Sequence, residues 1–209
     1  MDISIQIANE LLRIEAIKLR PDQPFKWSSG WNSPIYCDNR LTLSFPEVRT
    51  LIKSGLTAMV RSHFKGAEVI AGVATAGIPQ GALVADEMKL PLVYVRPKPK
   101  DHGMENLIEG RISKGQKVVL VEDLISTGGS SLKAAEALKD AGAEILGMVA
   151  IFTYGFGVAD DNFKKAGIPL FTLTNYSQLI QICEANKAFD AKAIASLNEW
   201  RKAPEAWLK

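Results

Sequence analysis

Apolar and polar positions follow two periods along this chain, one typical of helices and one typical of buried strands. The predicted helices cover residues 3–19, 45–63, 77–89, 131–141, 175–185 and 188–200, and the predicted strands cover residues 68–73, 92–95, 117–121, 145–152 and 170–173. Because strands and helices alternate after residue 68, the pattern predicts an α/β fold with a mostly parallel sheet flanked by helices on both faces. We expect residues 1–209 to form one domain.

Residues 20–44 interrupt this alternation. They are rich in Trp, Ser, Gly and Pro, with short strand-like pieces around Lys26 and around residues 35–37. This composition predicts a small irregular cap near the amino terminus. Ligands of parallel α/β sheets bind at the carboxyl ends of the strands. We therefore expect the cap to lie over that edge.

Composition excludes several classes of protein. The chain has 209 residues, 47% of them hydrophobic and 23% charged, and a net charge of +2. These values are ordinary for a soluble globular protein and indicate neither a nucleic-acid-binding nor a membrane-binding surface. No apolar run approaches a membrane span, and the first six residues lack the order of a secretion signal. Only two cysteines are present, which favours a cytoplasmic protein without disulfides.

The most informative segment is the turn after the predicted strand 117–121. Thr127, Gly128, Gly129, Ser130 and Ser131 stand between that strand and a predicted helix. The first turn of a helix has free N–H groups, and with the three hydroxyls they predict a site for a dianionic phosphate. The glycines would let the backbone approach the ligand closely. An ordinary helix cap is the alternative, but paired glycines favour the ligand.

Two adjacent carboxylates, Glu122 and Asp123, directly precede this turn. Acids beside a phosphate site would repel a simple phosphate. They are favourable if the ligand also carries neighbouring hydroxyl groups that donate hydrogen bonds to them, as a ribose 5-phosphate does. A pair that only caps the next helix is the alternative.

Residues 122–131 resemble the phosphoribosyl-diphosphate (PRPP) motif of type I phosphoribosyltransferases. Three other segments, 24–40, 74–79 and 96–103, resemble orotate phosphoribosyltransferases in the same order along the chain. The resemblance implies the type I phosphoribosyltransferase fold, with the cap binding the base, and transfer of phosphoribose from PRPP to orotate. The PRPP-binding residues that it implies are Arg96, Lys98, Lys100, His102, Glu122, Asp123, Leu124, Ile125, Ser126, Thr127, Gly128, Gly129 and Ser130.

Lys100, His102 and Asp123 are the residues to which the resemblance assigns catalysis. Substitution at C1 of PRPP has an oxocarbenium-like transition state, in which negative charge grows on the departing pyrophosphate. Cations already placed near that charge stabilise the transition state strongly. Asp123 could stabilise the positive charge that builds up on the ribose ring. The resemblance implies that residues 96–103 form a mobile loop that reaches into the site of a partner subunit, so we expect a homodimer.

The loop departs from the family pattern at two positions. Some members have lysine where this chain has Pro97, and some have lysine where it has Ala76. The resemblance therefore does not extend to lysine contacts with pyrophosphate from those positions, and Lys98 is the candidate to replace them.

Recognition of the base is assigned through the cap. The resemblance implies that Ser28, Tyr36 and Arg40 contact orotate, together with Ser126 of the motif. Whether Tyr36 and its aromatic neighbours Phe25 and Trp27 contact the base or pack the cap onto the domain is left open.

Magnesium follows from the substrate more than from the protein. PRPP is a polyanion that Mg²⁺ accompanies, mainly through phosphate and hydroxyl oxygens, and no metal-binding spacing of His, Cys or Asp occurs in the sequence.

Four other functions compete with this assignment. A purine or uracil phosphoribosyltransferase would share the motif but not the cap or the loop of residues 96–102. A PRPP sensor would carry an added DNA- or RNA-binding segment or lack the loop cations, and neither feature is found. A dehydrogenase or a nucleoside triphosphatase would need glycine-rich motifs that this chain lacks.

Overall fold

Ten strands and seven α-helices are present in the computed structural model, which describes residues 2–27, 30–98 and 107–208. The strands are β1 (Ile17–Leu19), β2 (Phe25–Lys26), β3 (Asn32–Ser33), β4 (Ile35–Cys37), β5 (Val69–Val73), β6 (Leu92–Val95), β7 (Ile108–Glu109), β8 (Lys117–Ile125), β9 (Glu144–Thr153) and β10 (Leu170–Asn175). The helices are α1 (Ile3–Arg13), α2 (Pro46–His63), α3 (Gly77–Met88), α4 (Gly129–Asp140), α5 (Gly157–Ala166), α6 (Tyr176–Ala185) and α7 (Ala191–Lys202).

Six of the strands form the central sheet, in the order β10-β9-β8-β5-β6-β7. Every pair of neighbours is parallel except β6 and β7, which are antiparallel. The prediction of a mostly parallel sheet in an α/β fold is confirmed. Because β8 lies in the middle of the order, the loop that follows it opens at the centre of the sheet edge, where ligands of such folds bind.

Helices cover both faces of the sheet, as predicted. Along β8, Val119 and Val121 belong to one hydrophobic core and Val118 and Leu120 to the other, because alternate side chains of a strand point to opposite faces. The first core also contains residues of α1, α2, α3, α6 and α7, and the second contains residues of α4 and α5. Within the described ranges, no helix combines the length and apolarity that a membrane crossing requires.

Strand β8 is longer than predicted. It continues to Ile125, so Glu122 and Asp123 lie within the strand and not in the loop after it. The reason is β9, which has ten residues and pairs with β8 as far as Ile125. On its other side β8 pairs with β5 only as far as Val121. The two carboxylates therefore stand on a length of strand that has a sheet partner on one side only.

The predicted helix over residues 3–19 is wrong in its second half. Helix α1 ends at Arg13, and Glu15 adopts the left-handed backbone conformation with φ 56°. Residues 17–19 form β1, which pairs with β4 in an antiparallel manner. Helical spacing and pairing with a distant segment compete for the same apolar residues here, and the pairing prevails.

Two further elements were not predicted. Helix α5 follows β9, and the short strand β7 lies within residues 96–114, which were predicted to be a loop throughout. The cap prediction is consistent with two small antiparallel pairs, β2 with β3 and β1 with β4, and a 3₁₀ helix over Asn39–Ser44. Strand β1 begins before residue 20, so the cap shares its first pair with the segment after α1.

Helix α7 attaches to the domain through a buried aromatic cluster. Trp200 has no exposed surface, and its ring lies 5.3–5.7 Å from the rings of Trp27, Tyr154, Phe156 and Tyr176. Edge-on and tilted arrangements at such distances are favourable. A helix from the end of the chain thus supports Trp27 of the cap and Tyr154 beyond β9.

We expect Trp200→Ala to lower the free energy of unfolding by roughly 3–5 kcal/mol, because it leaves a large cavity in the aromatic cluster. Trp200→Phe should cost less, since it keeps a ring and since the indole N–H has no hydrogen-bond partner among the described residues. Urea denaturation measures both. Trp207→Ala, at a half-buried position, is the control, and an equal loss in the two alanine variants would contradict the packing role of Trp200.

Candidate active site

Two cavities, each of about 660 Å³, open at the carboxyl edge of the sheet. The first lies between the ends of β5 and β6 and the face of α4. Its lining includes Ala74, Arg96, Pro97, Gly129, Ser130 and Lys133. The second lies between the cap and the end of β8. Its lining consists of Lys26, Trp27, Trp31, Tyr36, Cys37, Leu124, Ser126, Thr127 and Tyr154.

The loop between β8 and α4 contributes to both cavities. Ser126 and Thr127 face the second cavity, and Gly129 and Ser130 face the first. Residues at the start of α4 have N–H groups without partners inside the helix, and these N–H groups favour an anion. The loop is also anchored from α5, because the side-chain amide of Asn162 donates to the Thr127 carbonyl at 3.0 Å.

Of the two glycines of this loop, only Gly128 has the left-handed backbone conformation that favours glycine. Its φ is +78°, and a Cβ at this position would lie 2.6 Å from the ring of Phe163. Gly129 has no positive φ, and a Cβ there would meet only the Thr127 hydroxyl at 3.8 Å. Gly128 therefore shapes the turn, whereas a side chain at position 129 would only occupy space beside the first cavity.

The carboxylate of Glu122 is buried, with 6% of the residue exposed. Its two oxygens accept hydrogen bonds from the backbone N–H of Asp123 at 2.9 Å and from the Ser131 hydroxyl at 3.0 Å. Burial raises the pKa of Glu122 well above its ordinary value, and the neighbouring charge of Asp123 raises it further. The expectation that the Ser131 hydroxyl faces a phosphate is wrong, because this hydroxyl is fully buried and holds Glu122.

Asp123 is the more accessible carboxylate of the pair. Burial raises its pKa as well, although its hydrogen bonds and the charge of Arg40 oppose that effect. Its backbone carbonyl accepts a hydrogen bond from the side-chain amide of Asn39 at 2.7 Å. Asp123 is thus held by its main chain, and its carboxylate is the better placed of the two to accept hydrogen bonds from a ligand.

The start of α3 packs tightly against β8 behind this pair. Gly77 is the first residue of the helix, and a Cβ at this position would collide with the carbonyl oxygen of Val121. The predicted pyrophosphate segment 74–79 therefore lies directly beside the carboxylate pair, with Ala74 lining the first cavity. The peptide bond between Ala74 and Thr75 is cis.

Arg96 lines the first cavity, where an anion would need it. One of its terminal guanidinium nitrogens is 3.6 Å from a carboxylate oxygen of Glu109 on β7. That nitrogen is buried and has no hydrogen-bond partner among the described residues. A buried donor without an acceptor is uncommon, and the phosphate oxygens of a ligand would satisfy it. Lys98 is exposed.

The predicted base-binding residues differ in their placement. Tyr36 and Ser126 line the second cavity. Arg40 is not part of that lining, and its guanidinium forms two hydrogen bonds with the Asp38 carboxylate, at 2.6 and 2.9 Å. Ser28 lies outside the described residues, as do Lys100 and His102.

The aromatic residues of the cap have different environments. Trp27 lines the second cavity and also contacts Tyr154 and Trp200. Phe25 is not part of the cavity lining. It packs against Tyr36 at 5.6 Å, with the guanidinium of Arg20 over its ring.

Four residues of the second cavity were not predicted from the sequence. Tyr154 follows the end of β9, next to β8, so the rule that ligands bind at carboxyl ends of strands could have identified it. Lys26, Trp31 and Cys37 depend on how the cap folds, which no local pattern reveals. In the first cavity Lys133 was also missed, although it lies three residues after Ser130 and helical spacing places both on one face.

The chemistry of the described side chains fits a metal that a substrate brings with it. No cluster of three or more His, Cys, Asp or Glu side chains suited to a metal ion occurs in the parts of the chain that the structure describes. Glu122 and Asp123 offer hard oxygen donors, which suit Mg²⁺ when phosphate oxygens and water complete its coordination.

Comparison with known proteins identifies the family. The model of the phosphoribosyl transferase domain matches residues 51–181. The orotate phosphoribosyltransferase of Cytophaga hutchinsonii is 65% identical over 209 residues, which are all of both chains. That of Bacteroides fragilis is 58% identical, covering 96% of this chain and 94% of its own. This chain belongs to the orotate phosphoribosyltransferase family.

A solved structure of the family agrees with the fold. The orotate phosphoribosyltransferase of Aeropyrum pernix has a TM-score of 0.76 at 29% identity, covering 88% of this chain and 99% of its own. The family and the fold that the sequence motifs implied are thus confirmed.

The raised pKa of Glu122 predicts how stability depends on pH. Stability linked to such a group is fully present below its pKa in the unfolded chain and is lost as the pH rises through the higher pKa of the folded state. Glu122→Gln cannot ionise, and its amide can still accept from Asp123 and donate to Ser131. We therefore expect the unfolding free energy of this variant to increase relative to the parent from acid to neutral pH.

Denaturant titrations of Glu122→Gln and the parent at several pH values test this. Glu199→Gln, which replaces an exposed glutamate on α7, is the control for the substitution. A difference between Glu122→Gln and the parent that stays constant with pH would contradict the assigned environment.

Proposed function

We propose that this protein transfers the 5-phosphoribosyl group of PRPP to orotate, giving orotidine 5′-phosphate and pyrophosphate in the synthesis of pyrimidine nucleotides. The observation that carries the proposal is a single loop, residues 126–130, that lines two cavities of equal size. A transferase needs this arrangement, because a leaving group and an acceptor must lie on opposite sides of one reacting carbon.

We assign the first cavity to pyrophosphate and the loop between β8 and α4 to the 5′-phosphate. The N–H groups at the start of α4 and the hydroxyls of Thr127 and Ser130 suit a phosphate dianion. The Arg96 guanidinium, one nitrogen of which is buried without a hydrogen bond, suits the departing pyrophosphate, for which it offers two parallel hydrogen bonds. By the family resemblance, Lys98, Lys100 and His102 add positive charge to the same group.

The second cavity is assigned to orotate. Its aromatic side chains provide apolar walls for a planar ring, and Lys26 is the cationic side chain among the described residues that line it. A carboxylated ring fits this combination of apolar walls and one cation. Tyr36 and Ser126 line this cavity and remain assigned to orotate. Ser28 and Arg40 are assigned to it through the resemblance. Arg40 would either release the Asp38 carboxylate or bind orotate together with it.

The reaction follows from these placements. The bond between C1 and the pyrophosphate oxygen breaks with its electron pair on the oxygen. The orotate ring nitrogen then bonds to C1 and gives up its proton to the departing pyrophosphate, whose oxygen has gained the electron pair. Asp123 accepts hydrogen bonds from the ribose hydroxyls and stabilises positive charge on the ring, while Glu122 holds the backbone of Asp123. The Asp123 carboxylate is the protein group that would hold Mg²⁺ bound with PRPP, and the metal would neutralise part of the phosphate charge.

We also propose a cytoplasmic homodimer with an active site shared between subunits, and residues 20–44 as its base-binding cap. Three large apolar side chains of the segment 36–45 support an interface there, because Tyr36, Leu41 and Phe45 are 37–42% exposed.

Both cysteines are free thiols, as expected in a reducing compartment.

An ultraviolet assay with PRPP and Mg²⁺ tests the reaction by comparing orotate with uracil, adenine, hypoxanthine and xanthine. We expect orotate absorbance to fall only when PRPP is present, with the other bases inert.

Asp123→Asn should lower turnover at least about a hundredfold and leave thermal unfolding nearly unchanged. Asp86→Asn, at an exposed position on α3, is the control. Transfer to a purine, or PRPP binding without any transfer, would overturn the function.

Mixing two inactive variants tests the shared site. We expect heterodimers of Lys100→Ala and Asp123→Asn subunits to recover part of the activity, because one of their two sites then combines an intact loop with an intact strand. Each variant alone should stay inactive. Verified heterodimers without recovery would show that the loop serves its own subunit.

A further inference from the structure

The backbone of Asp123 is paired with side chains where a strand would ordinarily pair with it. The ladder between β5 and β8 ends at Val121, whereas β8 itself continues to Ile125. Beyond Val121, the N–H of Asp123 donates to the Glu122 carboxylate at 2.9 Å and its carbonyl accepts from the Asn39 side-chain amide at 2.7 Å. Asn39 thus supplies to β8 a hydrogen bond that β5 is too short to make.

Asn39 is itself fixed from two directions. It is fully buried at the start of the 3₁₀ helix of the cap. Its backbone carbonyl accepts from the Thr42 hydroxyl at 2.6 Å, and that hydroxyl accepts from the Gln80 amide of α3 at 3.3 Å. Its side-chain oxygen lies 3.5 Å from the sulfur of Cys37, which donates to it. The amide of Asn39 therefore has one orientation, with its N–H toward Asp123.

This arrangement joins the two halves of the site. Cys37 lines the second cavity, and Asp123 lies on the strand that leads into the loop between the cavities. Asn39 lines neither cavity, so any influence on the reaction must pass through its hydrogen-bond partners. A polar side chain buried this completely, with both polar ends of its amide engaged, holds its neighbours at a fixed distance.

We propose that Asn39 is a positioning residue, whose amide fixes the Asp123 carboxylate relative to the base cavity by replacing the missing neighbour strand. The inference rests on the proposed function, because it takes Asp123 as the group that holds the ribose and stabilises the transition state. A displaced carboxylate weakens stabilisation of the transition state more than binding of the substrates, so turnover should fall more than affinity.

Asn39→Ala and Asn39→Asp test the proposal. We expect kcat to fall roughly tenfold to a hundredfold in Asn39→Ala, with a smaller change in the KM of PRPP. Asn39→Asp keeps the shape but places an oxygen against the Asp123 carbonyl, and it can donate a hydrogen bond only when protonated. Its kcat relative to that of the parent should therefore rise from mildly alkaline to mildly acidic pH. Cys37, Asp38, Arg40, Glu122 and Asp123 are the other charged or titratable groups around this position. Asn39→Ala keeps all of them and adds no titratable group, so it is the reference against which the pH dependence of the new carboxyl is read.

Two controls separate positioning from general stability. The Asn9 side chain also donates to a backbone carbonyl, that of Ile5 at 2.9 Å, but within α1 and outside the cap and both cavities. Asn9→Ala should leave kcat unchanged. Thr42→Val removes the hydroxyl that contacts Asn39 and leaves Asp123 untouched. We expect it to lower the melting temperature, with a smaller fall in kcat than in Asn39→Ala. If Thr42→Val and Asn39→Ala reduce kcat equally at equal loss of stability, Asn39 is only structural and the proposal fails.

Hydrogen exchange provides a measurement that does not need turnover. Backbone amides of residues 122–125 should exchange faster in Asn39→Ala than in the parent and in Asn9→Ala. The inference is overturned if these amides exchange at the parent rate in Asn39→Ala, or if the parent is active and Asn39→Ala has the same kcat. A parent that transfers nothing to orotate overturns the proposed function instead, and exchange then still decides whether Asn39 holds the strand.

Discussion

The whole site depends on two carboxylates carried into the interior at the end of β8. Buried charges are costly unless they are paired or fully hydrogen-bonded, so this strand end needs partners on every side. Strand β9 supplies them on one side, Asn39 and Ser131 supply hydrogen bonds on the other, and the start of α3 packs closely against the strand. The close approach of α3 at Gly77 and the burial of the cap residue Asn39 are both consequences of this requirement.

The cap has a second attachment that is entirely apolar. Trp27 packs on Tyr154 and on Trp200 of α7, so the wall of the base cavity is continuous with the aromatic core. Polar contacts through Asn39 are directional, whereas ring contacts tolerate small displacements. The cap is therefore held by directional hydrogen bonds, among them those of Asn39 and Thr42, and supported by a broad apolar surface.

Much of the fold could be predicted from the sequence because the strands and helices carry strong periodicity. The strand 92–95 was predicted with its observed bounds, and α2 was predicted to within a residue. Residues 17–19 were assigned wrongly, because a strand of three residues that pairs across eighteen positions has no local signal. The same reason explains the late end assigned to α1.

In the candidate site, the motif residues could be found because each has a distinctive chemistry next to a strand. The role of Ser131 could not be found in this way. Its hydroxyl could donate either to a bound phosphate or to Glu122, and only the burial of Glu122 in the folded protein decides between the two acceptors. Asn39 was invisible for a related reason. Its importance arises from the unequal lengths of β5 and β9, and neither length is encoded near residue 39.

The attachment of α7 has a consequence for how the protein is made. Residues 69–140 contain β5, β6, β8 and α4, so the elements of the phosphate side leave the ribosome early. Tyr154 follows later, and Trp200 later still. During synthesis, therefore, the last element that anchors the anion-binding loop, α5 with Asn162, leaves the ribosome before Trp200, so that loop can be complete before the aromatic wall behind the base cavity has its final support.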